Sequence, residues 1–275
     1  MTLTLVNGEP ADSVPANDRG LNYGDGVFRT LAMRSGRPRM WHRHYAKLVS
    51  DCAALGITAP AESVLLADIE TIAARFAECA LRITVTRGSG GRGYAAPTAV
   101  IPRRIVSASP MPVYPPAYST GGITVRYCRQ RLAAQPALAG IKHLNRLENV
   151  LARAEWSDPD IAEGLLCDSD DRVIEGTRCN LFLVEEGDLV TPDLSSCGVA
   201  GVTREAVMEL AARHSVRCRI EPVSRSRLAA AGEVMLVNSI IGVWPVARLD
   251  QHEWRQFPFA AQVKQWLDDC SNETD

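Results

Sequence analysis

The sequence predicts an α+β fold divided into two domains, with a small-molecule cleft between them. Three observations carry this expectation. Residues 107–122, SASPMPVYPPAYSTGG, hold four prolines and end in two glycines. Proline restricts itself and its predecessor to extended backbone, so this segment should join domains instead of sitting inside one. Before it, strand and helix patterns alternate; after it, strands separated by polar turns dominate. The expected organisation is a small N-terminal domain over 1–106, a linker over 107–122 and a larger domain over 123–275.

Taken in order, LTLVNGE reads as a strand entering a turn. RHYAKLVSDCAALG has helical periodicity and a glycine suited to a helix end. AESVLLADIETIAARFAEC reads as a second helix, and ALRITVTRG as a strand rich in β-branched residues. Beyond the seam, GITVRYC is a strand. In LAGIKHLNRLENVLARAEW, residues 138–156, Leu144, Leu147, Leu151 and Ala154 recur at three- and four-residue steps. That spacing predicts one buried helical face, with Arg146, Glu148 and Arg153 on the solvated side. GLLCDSDDRVIEGTRCNLFLVEEGDLVTP reads as successive strands with turns at Ser169–Asp171 and Glu185–Asp188. GVAGVTREAVMELAARHS is a glycine-rich turn feeding a helix, and EVMLVNSIIGVWPVARLD a largely buried strand with a turn.

Composition narrows the function. The chain has 275 residues, 46% hydrophobic and 23% charged, ordinary for a globular protein. A formal net charge of -2 offers no basic face for nucleic acid. No apolar run approaches the ~18 residues of a membrane span, and MTLTLVNGEPADS lacks the pattern of a secretory leader, so neither a membrane partner nor export is expected. Eight dispersed cysteines, with no C-x-x-C pair and no clustered histidines, fit neither a zinc site nor a disulfide framework. They read as reduced core residues of a cytoplasmic protein, and the five histidines as surface or packing residues.

Against that background Lys142 is conspicuous, a long cation at the entrance to an apolar run. Either it snorkels to water, or its amine is held near buried surroundings to act as a nucleophile. GVAGVTRE, residues 198–205, is either a simple capped helix start or a phosphate cradle in which Thr203 adds its hydroxyl to free amides and positive dipole. In RVIEGTRCNLF, residues 172–182, Glu175 sits in an apolar stretch and needs a partner, an arginine or a protonated heterocyclic nitrogen. RGSGGRGY, residues 87–94, lacks the ending of a phosphate loop and reads as a turn presenting Arg87, Arg92 and Tyr94 to a carboxylated substrate. A lysine for an aldehyde, a helix start for a phosphate and a carboxylate for a ring nitrogen are together the parts that pyridoxal 5'-phosphate requires.

These segments resemble the branched-chain and D-amino-acid aminotransferase superfamily, the fold type IV pyridoxal-phosphate enzymes. The resemblance runs through DRGLNYGDGVF, HYAKL, RGSGGRGY, LAGIKHLNRLENVL, VIEGTRCNLF, GVAGVTRE and EVMLVNSIIGVWPV. The pairing of RGSGGRGY with LAGIKHLNRLE is most similar to its lyase members, which convert 4-amino-4-deoxychorismate to 4-aminobenzoate and pyruvate in folate biosynthesis. An aminotransferase acting on D-amino or branched-chain amino acids is the alternative. The resemblance implies a two-domain architecture with the cofactor cleft between domains, and a homodimer. It makes Lys142 the Schiff-base lysine and Glu175 the partner of the pyridine nitrogen. It places Val202, Thr203 and Ser239 on the phosphate, and Arg92, Tyr94, Phe28 and Thr30 around the substrate. One position departs: where the superfamily motif H-x-x-R-L carries a phosphate-binding arginine, this chain has Lys47. The expectation is that Lys47 still contacts phosphate, or that Arg43 substitutes for it.

Overall fold

The computed structural model describes residues 2–97 and 99–273. The chain divides into two compact units. The first runs to Val113 and takes back Ile141–Asn145; the second comprises Tyr114–Gly140 and Arg146–Glu273.

In the first unit, β1 (Leu3–Val6) and β2 (Glu9–Pro10) form a hairpin whose turn residues Asn7 and Gly8 both take positive φ, the conformation a two-residue hairpin loop requires. A single helical turn, α1 (Arg19–Tyr23), is capped by Asp18, whose carboxylate accepts from the Gly20 amide. It leads into β3 (Gly26–Arg34) and the short β4 (Arg37–Pro38). Helices α2 (Trp41–Ala54) and α3 (Glu62–Ala73) follow, then β5 (Cys79–Thr86) and β6 (Arg103–Ser109). The sheet order is β2-β1-β6-β5-β3-β4. Leu65, Ile69 and Ile72 of α3 pack on Val27, Leu31, Leu81 and Ile83, which alternate along β3 and β5. The second helix ends sooner than its sequence pattern suggested. Cys79, Leu81, Ile83 and Val85 are all buried at period two, and that alternation draws the chain from Cys79 onward into the sheet.

In the second unit α4 (Ala117–Thr120) precedes β7 (Ile123–Leu132), α5 (Leu147–Arg153), β8 (Ile161–Asp168), β9 (Val173–Gly176), β10 (Asn180–Glu185) and β11 (Asp188–Pro192). Then come α6 (Val202–Arg213), β12 (Cys218–Glu221), α7 (Arg225–Ala230), β13 (Glu233–Asn238), β14 (Gly242–Leu249), β15 (His252–Glu253) and α8 (Pro258–Glu273). The main strand order is β12-β11-β10-β13-β14-β7-β8-β9. Trp244 of β14 is buried between the rings of Tyr114 and Tyr118, with edge-on centroid distances of 4.8 and 5.1 Å.

Three expectations change. Residues 107–109 of the supposed linker belong to β6, because Ser107 and Ala108 pair with both β1 and β5. Ile141–Asn145 lies in the first unit, not the second. The apolar face read from Leu144, Leu147 and Leu151 is not buried: Leu144 precedes α5, and Leu147 and Leu151 are 68% and 51% exposed. Residues 142–144 are committed to extended backbone against β3, which resets the phase of the helix that follows. α5 turns Ala152 inward, and its Glu148 and Asn149 side chains satisfy the Ala133 amide and the Thr177 carbonyl. No helix among the described residues is long and apolar enough to cross a membrane. The cysteines are free thiols, all but Cys218 buried.

Candidate active site

Lys142 reaches its place through an isolated antiparallel bridge beside the start of β3. Its carbonyl accepts from the Phe28 amide at 2.9 Å, the Leu144 amide donates to Gly26 at 2.9 Å, and His143 pairs with Val27. The segment thus borders the start of β3. Strand alternation puts Phe28 and Thr30 on one face of β3 and Arg29 on the other. The Lys142 amine stands 4.6 Å from the centroid of the Phe28 ring. The Arg82 guanidinium, opposite Thr30 in the β3–β5 register, stands 4.0 Å from the same centroid. Phe28, Thr30, Arg82 and Lys142 therefore form one apolar and cationic patch.

Behind β3, on the α2 side, Asp51 collects charge. It is 1% exposed, pairs with the buried Arg29, and accepts from the Lys47 ammonium at 2.5 Å and from the Lys142 backbone amide at 3.0 Å. Arg43 is half-buried one turn before Lys47. His44, on the same helix, is 3% exposed, and neither ring nitrogen has a hydrogen-bond partner. Burial first, then the positive charges of Arg29 and Lys142, push its pKa down to about 3, so the ring is neutral.

The glycine-rich loop after β5 is held by Arg19. That side chain donates to the carbonyls of Gly93 and Tyr94 at 3.1 and 2.9 Å and to the Asp25 carboxylate at 2.8 Å. Arg92 is exposed and Tyr94 is 88% exposed, with its ring edge-on to Tyr23 at 5.6 Å. Among the described residues, no hydrogen bond or ring contact joins either to Phe28 or Thr30. Arg87 is not a substrate group: it donates to Asp25 and to the carbonyls of Leu55 and Gly56 at 2.7–2.8 Å, bracing the end of α2.

The second unit carries the other candidates. Glu175, on β9, is 3% exposed and accepts from the Val199 amide at 2.8 Å. Arg146 is close enough for its charge to be felt by Glu175; burial holds the guanidinium below its ordinary pKa, while Glu175 and Glu148 oppose that shift. The buried carboxylate thus has an arginine nearby, and a carboxylate can accept several hydrogen bonds at once. Helix α6 begins at Gly201, and no side chain caps it. Its first-turn Thr203 and the Ser239 hydroxyl, on the β13–β14 turn, lie 3.2 Å apart. Asn238 fixes that turn by accepting from the Ile240 and Ile241 amides at 2.8 and 2.9 Å. Asn180 fixes the loop before α6, donating to the Val199 carbonyl and accepting from the Gly201 amide at 2.8 and 3.1 Å. An uncapped twelve-residue helix start beside two hydroxyls is chemically suited to a phosphate.

Sequence reasoning passed over Asp51, Arg82, Asn180 and Asn238. Asp51 follows Lys47 by one helical turn, a spacing that could have flagged it. Arg82 carries no local signal, because only the strand register sets it beside Thr30.

Residues 26–249 match the family described as Amino-transferase class IV. The chain is 34% identical to the aminodeoxychorismate lyase of Vibrio harveyi over 248 residues, covering 90% of this chain and 92% of the relative. The crystal structure of 4-amino-4-deoxychorismate lyase from Pseudomonas aeruginosa superposes with a TM-score of 0.92 at 48% identity, covering 97% of this chain and 98% of that one. A PLP-bound form of a hypothetical aminotransferase from Mycobacterium tuberculosis shares the fold alone, with a TM-score of 0.86 at 21% identity over 99% of this chain and 100% of that one. The family match spans most of the sequence and includes Phe28, Thr30, Lys47, Arg82, Lys142, Glu175, Thr203 and Ser239: this chain is a member of the class IV amino-transferase family, with the fold type IV architecture.

Proposed function

We propose that the protein is a pyridoxal 5'-phosphate-dependent lyase that converts 4-amino-4-deoxychorismate to 4-aminobenzoate and pyruvate, a step of folate biosynthesis, and that it works as a cytoplasmic homodimer. The observation that carries the reading is the 48% identity, over nearly the whole chain, to a lyase of that name. The local chemistry supports it. When bound, the cofactor supplies an aldehyde for an amine to attach to and a protonated ring that accepts an electron pair.

The chain's own residues do the rest. The α6 start, with the Val202 and Thr203 amides and the Thr203 and Ser239 hydroxyls, binds the phosphate, and Lys47 adds charge from α2. Glu175, which also accepts from the Val199 amide, would hold a proton on the ring nitrogen. Lys142 is the amine that would hold the cofactor and give way to the substrate amine. The released Lys142 amine then removes the proton from the amine-bearing ring carbon. Loss of that proton lets the neighbouring enolpyruvyl oxygen leave with the C–O bonding pair and take up a proton as enolpyruvate, which tautomerises to pyruvate, while the substrate ring becomes aromatic. Arg82, Arg92 and Tyr94 bind the substrate carboxylates, and Phe28 and Thr30 line the ring site.

Purified protein supplied with 4-amino-4-deoxychorismate should release equimolar 4-aminobenzoate and pyruvate, and Lys142→Ala should abolish release. Transfer of the amine from D-alanine to 2-oxoglutarate, with no aromatic product, would favour the aminotransferase reading that the family description leaves open. Light scattering tests the dimer.

A further inference from the structure

We propose that Asp51 is a positioning residue for Lys142: its buried carboxylate, held charged by Arg29 and Lys47, grips the lysine's main chain so that the amine stays at the face of Phe28. The proposal rests on the reading of Lys142 as the amine that holds the cofactor.

Asp51 ties three elements together. It projects from α2, meets Arg29 from β3, and accepts the backbone amide of Lys142 from the bridged segment at 3.0 Å. At 1% exposure a carboxylate needs compensation from more than one donor. Here it receives a guanidinium, the Lys47 ammonium at 2.5 Å and the Lys142 amide. A carboxylate offers about four lone-pair sites, so all three bonds fit at once. An amide bond to an ionised acceptor is stronger than one to a carbonyl.

The consequence lies in what each end of Lys142 is tied to. Its amide is fixed toward α2 by Asp51, and its carbonyl toward β3 by the Phe28 amide at 2.9 Å. Both peptide planes flanking the Cα are thereby set. From that fixed origin the four-carbon stem leads to the amine, which stands 4.6 Å from the centroid of the Phe28 ring. A nucleophile and base must be held within a fraction of an ångström, so anchoring the stem's origin bears directly on rate. A buried ion pair alone is weak evidence for stability, since apolar replacements of similar volume often serve as well. The Arg29–Asp51–Lys47 cluster is better explained by the third ligand it holds, the amide of Lys142.

The test uses Lys142 reactivity instead of turnover alone. Cofactor-free protein is mixed with pyridoxal 5'-phosphate, reduced with sodium borohydride at timed intervals, and mapped by peptide mass spectrometry. Wild type is expected to be labelled at Lys142. Arg29→Met/Asp51→Leu/Lys47→Met, which removes the whole charged cluster, and Asp51→Asn, which keeps an oxygen for the Lys142 amide, separate the roles: the triple variant should be labelled there more slowly by about tenfold or more, and Asp51→Asn less so. The triple variant's kcat should fall with KM within about twofold. Amide hydrogen exchange at Lys142 in the wild-type protein gives an independent reading and should be slow. A triple variant labelled at the wild-type rate, or a Lys142 amide that exchanges like an open loop, overturns the proposal. Wild-type labelling at another amine instead overturns the reading of Lys142 itself.

Discussion

Glu175 and His44 are both ionisable and buried, but Glu175 has hydrogen-bonding and charged neighbours while the His44 ring nitrogens have no hydrogen-bond partner. Glu175 accepts from the Val199 amide and lies within reach of the Arg146 charge. Glu175→Gln keeps an oxygen for Val199 while losing the charge that would hold a proton on the cofactor ring. Its kcat should fall about tenfold or more, a loss of at least ~1.4 kcal/mol of transition-state stabilisation, with a near-unchanged melting temperature. An unchanged rate would reduce Glu175 to a structural acceptor. His44 has its pKa lowered to about 3, from 6.5, chiefly by burial. The folded state therefore refuses a proton that the unfolded chain accepts. Stability from this group is complete above pH 6.5 and is lost as pH falls toward 3, at up to about 1.4 kcal/mol per pH unit. Because its ring nitrogens have no hydrogen-bond partner, His44→Leu forfeits none. Between pH 7.5 and 5 the variant should lose about 2 kcal/mol less unfolding free energy in urea than wild type.

At the scale of elements, α6 and α5 show what their packing tolerates. A Cβ at Gly201 would come within 2.2 Å of the Asn180 carbonyl oxygen, the atom that fixes the α6 start. Gly201→Ala should therefore displace Asn180 and weaken pyridoxal 5'-phosphate binding by about tenfold, measured by equilibrium titration. In α5, Ala152 is fully buried beside Cys128, Leu132 and Trp156. Ala152→Leu should cost ~1–3 kcal/mol by overpacking, seen as a lower urea midpoint. These two helices also mark what the sequence made legible. The α6 start was visible in GVAGVTRE because glycine followed by threonine is a local signal. α5 was misread because its leucines keep helical spacing while facing outward. Nothing local reveals that residues 142–144 are extended, since that depends on pairing with β3, more than a hundred positions earlier.

For the molecule as a whole, the first unit is assembled from two stretches of chain. Ile141, 7% exposed, packs in the same core as Val27 and Leu48. A fragment ending at Val113 would lack this residue and the segment that borders β3. It should be less stable than the same unit in the intact chain and prone to associate through the bare edge, as gel filtration and urea unfolding would reveal. Long-range assembly of this kind is the part least legible in advance; the small cluster around Asp51 depends on it entirely. It also makes the chain unequally tolerant of changes in length. A residue gained or lost at the solvent-facing positions 134–137 disturbs a turn and the Gln135–Ser196 hydrogen bond but displaces no strand of either sheet. A single-codon deletion between Ile141 and Asn145 would move the bridge to Val27 by one residue and turn the bridged side chains to the opposite side. In that narrow window, length is as strictly specified as chemistry.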